Sequence, residues 1–335
     1  MRLIKIQAFI RLISICTLIS FFSGCINDDD TDLFIGVSLS PKSYQEDDFL
    51  DFFEKTKQTG NMVMWAGDWI YLNNETDGGP RVVANLASIY GYTPLIEVTY
   101  FDQSTGKLVR PLNESTKQMY MTSAVNFCKD YNLEFFGIGI EVNSFYEKNP
   151  DKYTEFVQFY SEVYDAIKQE SPVTKIFTVF QLEKMKGYTF WTEDSYDPNK
   201  EQWHLLEHFP QLDIIAFTTY PCLVYKEPEN IPINYYTDIK NYTGKDIAIT
   251  ESGWHSSQSP LGWESSEAEQ AEFVTTFFGL IEELYCKILI WSFMYDQDII
   301  EPFNSMGLRN TSDGSDKLSW NEWIHYQILF RGHII

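Results

Sequence analysis

The sequence predicts an α/β chain folded as a single (β/α)8 barrel, a TIM barrel. Eight apolar β-type runs recur from residue 33 onward, at 33–39, 61–65, 93–99, 135–141, 175–180, 212–218, 246–251 and 287–293. Most are continuous rather than alternating, as parallel strands covered on both faces must be. Helical patterns fall between them, and neither an internal repeat nor a Pro/Gly-rich linker divides the chain. At 335 residues and 44% hydrophobic, the chain is long and apolar enough for one such barrel.

The first 32 residues stand apart. Arg2, Lys5 and Arg11 precede an apolar run at 12–22, the length of a signal-peptide core and too short to span a bilayer comfortably. The run ends in Phe22-Ser-Gly-Cys25, which is similar to the lipobox of bacterial lipoproteins. The expectation is a signal peptide over 1–24, lipid attachment at Cys25, a solvated tether over 25–32, and a barrel domain over 33–330. That places the protein outside the cytoplasm, at the cell surface and anchored to the membrane. Cys16 would leave with the signal; Cys128, Cys222 and Cys286 form no zinc motif and no disulfide framework. Asn-x-Ser/Thr sequons begin at Asn74, Asn113, Asn241 and Asn310.

Within the barrel domain, helices are expected at 47–58, 115–131, 151–169, 265–284 and 320–329. The third is the strongest: Tyr153, Phe156, Tyr160, Val163 and Ile167 recur at three- and four-residue steps. The fourth starts on a capping-box-like Ser-Ser-Glu-Ala-Glu. Helices are weak after the fifth and sixth strands, where 187–199 and 223–234 read as long inserts on the face that carries strand C-termini. Long loops on that face build substrate sites.

A formal charge of −23 excludes nucleic acid as a natural partner and disfavours polyanionic substrates. Aromatic content of 16% exceeds what a core needs and fits an aromatic-lined sugar cleft. Dinucleotide, Walker A and Gly-x-Ser-x-Gly motifs are absent, and five scattered His offer no zinc spacing, so neither cofactor nor metal is expected.

Two glutamates end apolar runs: Glu141 in Phe136-Gly-Ile-Gly-Ile-Glu-Val-Asn143 and Glu251 in Ile247-Ala-Ile-Thr-Glu-Ser-Gly-Trp254. A carboxylate in that position is costly unless something pairs or uses it. On the fourth and seventh strands the two would face one cleft, as the paired carboxyls of a retaining glycosidase do at roughly 5–5.5 Å. Further candidates for substrate contact are Trp65 after the second strand, Glu97 on the third, Asn143 beyond Glu141, Tyr220 beside Pro221, Trp254 beyond Glu251, and Trp291 on the eighth. Core packing or pairing with a base is the rival reading for several of these.

With these motifs in order, residues 33–329 resemble clan A glycoside hydrolases, closest to the endo-β-1,4-galactanase and β-mannanase branches. The Glu251 segment is also similar to the Glu-Thr-Gly-Trp of β-1,3-glucanases. Ala216-Phe-Thr-Thr-Tyr-Pro221, Ile288-Leu-Ile-Trp-Ser-Phe293 and the segment from Gly307 to Lys317 match other parts of that pattern. The resemblance implies that Glu141 is the acid/base, Glu251 the nucleophile, Tyr220 a hydrogen-bond partner of the nucleophile and Trp291 a sugar platform. It implies a monomer acting on a polysaccharide or oligosaccharide. The chain departs from the pattern at Ile140, where the clan carries Asn, and lacks an evident Arg near the end of the second strand. The alternatives are a barrel of the same ancestry that binds glycan without cleaving it, and a two-lobed lipoprotein solute receptor.

Overall fold

The computed structural model describes residues 33–73, 79–192, 195–257 and 262–332. The expected signal, Cys25, its tether and the Asn74 sequon lie outside them. Nine strands form one parallel sheet: β1 (Phe34–Ser38), β2 (Met62–Asp68), β3 (Thr93–Thr99), β4 (Phe135–Ile138), β5 (Lys175–Phe177), β6 (Val179–Gln181), β7 (Ile215–Thr219), β8 (Ile247–Ser252) and β9 (Cys286–Trp291). Their order is β5-β4-β3-β2-β1-β9-β8-β7-β6, so the first and last strands of the chain are neighbours. β5 and β6 are one stave broken at Thr178: β5 pairs with β4 and β6 with β7. The gap is bridged by the Val179 N–H and the Thr178 hydroxyl, which donate to the Gly139 carbonyl at 3.1 and 3.2 Å. Eight staves therefore close a (β/α)8 barrel. The described residues make no second lobe, which removes the solute-receptor reading.

The helices follow the apolar periodicity. They are α1 (Glu46–Thr59), α2 (Gly79–Tyr90), α3 (Glu114–Asp130), α4 (Val142–Lys148), α5 (Pro150–Glu170), α6 (Leu182–Met185), α7 (Glu267–Ile281) and α8 (Leu318–Gly332). α5 buries Tyr153, Phe156, Tyr160, Val163 and Ile167 as its spacing requires, each worth about 1.5–3 kcal/mol when fully covered. Asn113 caps α3 by accepting from the Thr116 N–H at 3.0 Å, and Ser266 caps α7 through the Glu269 N–H at 3.2 Å. The sequence reading missed α2, α4 and the single-turn α6. Among the described residues, the outer layer after β6 holds the single-turn α6 and short 3-10 turns, and after β7 only short 3-10 turns, the longest being Trp203–His208 and Thr237–Asn241. Pro210, Pro221, Pro228 and Pro232 interrupt those connections, and each removes an amide a helix would need.

Candidate active site

β8 carries a bulge at the position that matters. Its pairing with β7 passes from Phe217↔Ile249 to Thr218↔Glu251, and its pairing with β9 from Ile249↔Leu289 to Ser252↔Trp291. Thr250 is the extra residue against β7, and against β9 one residue of the Thr250–Glu251 pair is extra. A bulge of this kind re-aims the side chain that follows it. Here Glu251 turns to the barrel mouth, where the Tyr220 hydroxyl donates to its Oε2 at 2.7 Å. The Tyr220 oxygen also meets Ser292 Oγ at 2.8 Å, and Ser292 donates to the Ser252 carbonyl at 3.0 Å.

Glu141 reaches the same end from β4. Its backbone is left-handed (φ 55°, ψ 48°), a region costly for a residue with a Cβ and found at sites whose geometry is held by function or packing. The Thr218 hydroxyl donates to Glu141 Oε1 at 2.8 Å, and Thr218 is the register partner of Glu251 on the adjacent strand. The two carboxyls are thus held by neighbouring side chains of one stave, Thr218 and Tyr220. A cavity of about 180 Å³ opens against Glu251, lined also by Ser38, Tyr44, Trp65, Ser292 and Phe293. Glu141 stands outside that lining.

Burial pushes both carboxyls up. Glu251 rises to about 7, with the Tyr220 hydrogen bond opposing and the charge of Glu141 adding. Glu141 rises through burial; the Thr218 hydroxyl and the charges of Lys184 and Lys148 pull it back, and Glu183 adds to the rise.

No family model matches this chain, and no curated protein sequence matches it. Solved structures do. A family 39 glycoside hydrolase from Bacteroides cellulosilyticus WH2 superposes with a TM-score of 0.64 at 15% identity, covering 90% of this chain and 64% of its own. An exo-β-1,4-mannosidase from Opitutaceae bacterium strain TAV5 gives 0.64 at 13% identity, over 90% of this chain and 60% of its own. A GH5_18 protein from Streptomyces cattleya, solved with Manβ1-4GlcNAc, gives 0.65 at 14%, over 90% and 81%. The fold is theirs. The chain spans under two thirds of the length of the first two.

In this barrel the sequence-predicted residues divide. Glu141, Glu251 and Tyr220 come together as described. Trp65 lines the cavity; its ring lies against Gly79, where a Cβ would stand 2.2 Å from the indole nitrogen. The remaining four do not reach it. Asn143 is buried and engaged: its amide donates to the Gln181 carbonyl and Gln202 Oε1 at 3.0 and 2.9 Å, and its oxygen accepts from the Gln181 N–H at 2.9 Å. It ties α4 to β6 instead of facing a sugar. Trp254 is fully buried against Phe273, its indole donating to Glu269 at 2.8 Å. Trp291 packs on Phe273 and Trp323 of the helix layer. Strand alternation explains it: Ser292 faces the mouth, so its neighbour faces out. Glu97 lies two residues before the end of β3, one layer below the mouth, and is fully buried.

Glu97 is nonetheless part of the electrostatics. Neither of its oxygens meets a hydrogen-bond partner at full geometry, although the Thr250 hydroxyl faces it. Burial, and then the charge of Glu251, push its carboxyl well above the ordinary carboxylate range, with the Thr250 hydroxyl opposing. Its room comes from Gly137, the register partner on β4, where a Cβ would stand 2.8 Å from Glu97 Cγ.

The sequence reading missed two charged groups. Glu183, fully buried after β6, accepts on Oε1 from the Thr219 hydroxyl (2.6 Å), the Tyr220 N–H (3.0 Å) and the Tyr235 hydroxyl (2.8 Å). It fastens the backbone of the tyrosine that holds Glu251. Its signal was present: like Glu141 and Glu251, it ends an apolar run, Ile176-Phe-Thr-Val-Phe-Gln-Leu-Glu183. Arg110, from the loop after β3, pairs with Asp68 at the end of β2 at 2.5 Å and stacks over Trp69. It supplies an Arg beside the second strand from 42 residues away, which no local motif could reveal.

Proposed function

We propose that this protein is a retaining glycoside hydrolase acting as a monomer on a β-linked polysaccharide or oligosaccharide, within clan A and nearest its galactanase and mannanase branches. The observation that carries the reading is the pair of half-buried carboxyls, Glu141 and Glu251, held at one barrel mouth by Thr218 and Tyr220. The superposable structures, among them a family 39 glycoside hydrolase and an exo-β-1,4-mannosidase, support the same class. In this reading Glu251 attacks the anomeric carbon through Oε1, since Tyr220 holds Oε2. Glu141 gives its proton to the departing glycosidic oxygen. Once Glu251 is esterified its charge is gone, and Glu141, now ionised, takes a proton from the water that releases the sugar.

Hydrolysis of β-galactans, β-mannans and β-glucans by protein lacking residues 1–25 tests the class. Glu251→Ala should lose turnover, with azide restoring it as the α-glycosyl azide; Glu141→Ala should spare aryl glycosides in the first step and give the β-azide. Near-parental turnover by both variants would sink the assignment. Ile140, buried beside Glu141, offers no amide to a sugar hydroxyl, and that favours the second reading, a barrel that binds glycan without cleaving it. Binding without hydrolysis across the panel would select it.

We further propose attachment to the membrane through a lipid on Cys25, on the strength of the Ser23-Gly-Cys25 ending. One acyl chain binds weakly, so stable anchoring needs more than one or a longer group. Cys25→Ser expressed in a lipoprotein-processing host should move the protein to the soluble fraction; unchanged partitioning would count against lipidation.

A further inference from the structure

We propose that the cavity left where the barrel lacks covering helices, after β6 and β7, is a second glycan-binding site, separate from the Glu141/Glu251 mouth. It measures about 310 Å³, against about 180 Å³ for the cavity at Glu251, and the two share no lining residue.

Its walls have the chemistry a neutral saccharide needs. Tyr242 and Tyr196 are both half exposed, at 45% and 52%, and both line it. Each ring is backed by a second aromatic: Tyr242 is stacked on Trp203 with centroids 4.0 Å apart and planes 7° apart, and Tyr196 lies 5.9 Å from Tyr188. Backed, outward-facing rings are rigid platforms for sugar C–H faces, because little side-chain freedom is left to lose on binding.

Hydrogen-bonding groups converge between the platforms. Glu201 accepts from the Tyr196 hydroxyl at 2.6 Å. Lys186 is nearly buried, lies 4.9 Å over the Tyr235 ring, and stands 3.8 Å from Asp238. At that distance the Lys186–Asp238 pair is loose enough for a hydroxyl to insert and bond both groups. Two acids against one base disfavour a uronate or sulfated chain, so the ligand class is an uncharged glycan.

The site is also joined to the mouth. Tyr235, in its wall, donates to the same Glu183 oxygen that holds the Tyr220 N–H, and Tyr220 holds Glu251. The proposal rests on the glycosidase reading only for the choice of ligand.

Affinity electrophoresis tests it, using protein lacking residues 1–25 from a non-glycosylating host and gels containing soluble β-galactan, β-mannan or β-glucan. The parent and Glu251→Gln should both be retarded by one of the three. Tyr242→Ala and Tyr196→Ala, at exposed positions, should each weaken retardation roughly tenfold and the double variant abolish it, with cleavage of a short aryl glycoside unchanged. Retardation of the double variant within twofold of the parent, or none of the parent on any of the three glycans, would overturn the proposal. Tyrosine-dependent retardation without hydrolysis would leave this site standing and remove the enzyme reading. Hydrolysis with no such retardation would do the reverse.

Discussion

Tyr220 does two things at once. Its hydroxyl donates to Glu251, which lowers that carboxyl's pKa, while its backbone N–H is held by Glu183. Tyr220→Phe keeps the ring and removes the donor. A hydrogen bond to an ionised group is worth about 1.5–3 kcal/mol, or roughly one to two pH units. The acid limb of kcat/KM, which reports ionisation of the nucleophile in the proposed mechanism, should therefore move up by about one unit or more. The pH profile checks it, and an unmoved limb would mean that the hydroxyl does not hold the reacting carboxylate. Asn143 makes the opposite lesson. Its place two residues beyond Glu141 suggested a sugar contact, but in a short helix that spacing turns the side chain away, and the free backbone N–H of Gln181 was there to receive it.

At the scale of elements, the strands were legible because parallel strands buried on both faces leave long apolar runs. All eight staves occur where the sequence puts them, and β3 has the expected bounds of 93–99. What could not be read was orientation within a strand. Continuous apolar runs have no alternation to say which side chain faces in, so Trp291 reads as a cleft residue when it belongs to the helix layer; Trp254, a loop residue beyond Gly253, also packs there. The Thr250 bulge is invisible for the same reason, yet it sets the direction of Glu251. The broken fifth stave was expected as one run over 175–180; Thr178 interrupts it by sending its hydroxyl to the Gly139 carbonyl. Helix α2 was missed although Val83, Leu86, Ala87 and Tyr90 recur at three- and four-residue steps and pack toward the core.

Across the whole molecule, four glutamates, the buried Glu97 and Glu183 and the half-buried Glu141 and Glu251, have their carboxyls raised by desolvation. An acid raised in the folded state binds more protons there than in the unfolded chain, so its contribution to stability is complete below the unfolded value of about 4.3 and is lost as pH rises through the folded one. For Glu251 that window closes near 7, and Glu97, also raised, contributes in the same direction. A net charge of −23 adds self-repulsion of the same sign. Thermal unfolding should accordingly show a Tm that falls from pH 5 to pH 9. Glu97→Gln, neutral at every pH, should flatten the upper part of that fall. A Tm that climbs over this range would contradict the raised carboxyls.

The pairing of β1 with β9 sets Phe34 beside Ile288, and Met294 N–H donates to Ser40 Oγ across 254 residues. A chain made from its N-terminus therefore carries an open β1 edge until its last strand emerges. At ribosomal speeds that wait is on the order of ten to fifty seconds. Closure must then draw together the two most distant strands, a slow step by its topology. Under the lipid-anchor proposal, in which the chain is exported as an unfolded thread, this late-closing ring would serve as a built-in delay: the part that would jam the passage cannot form until nearly all of the chain exists.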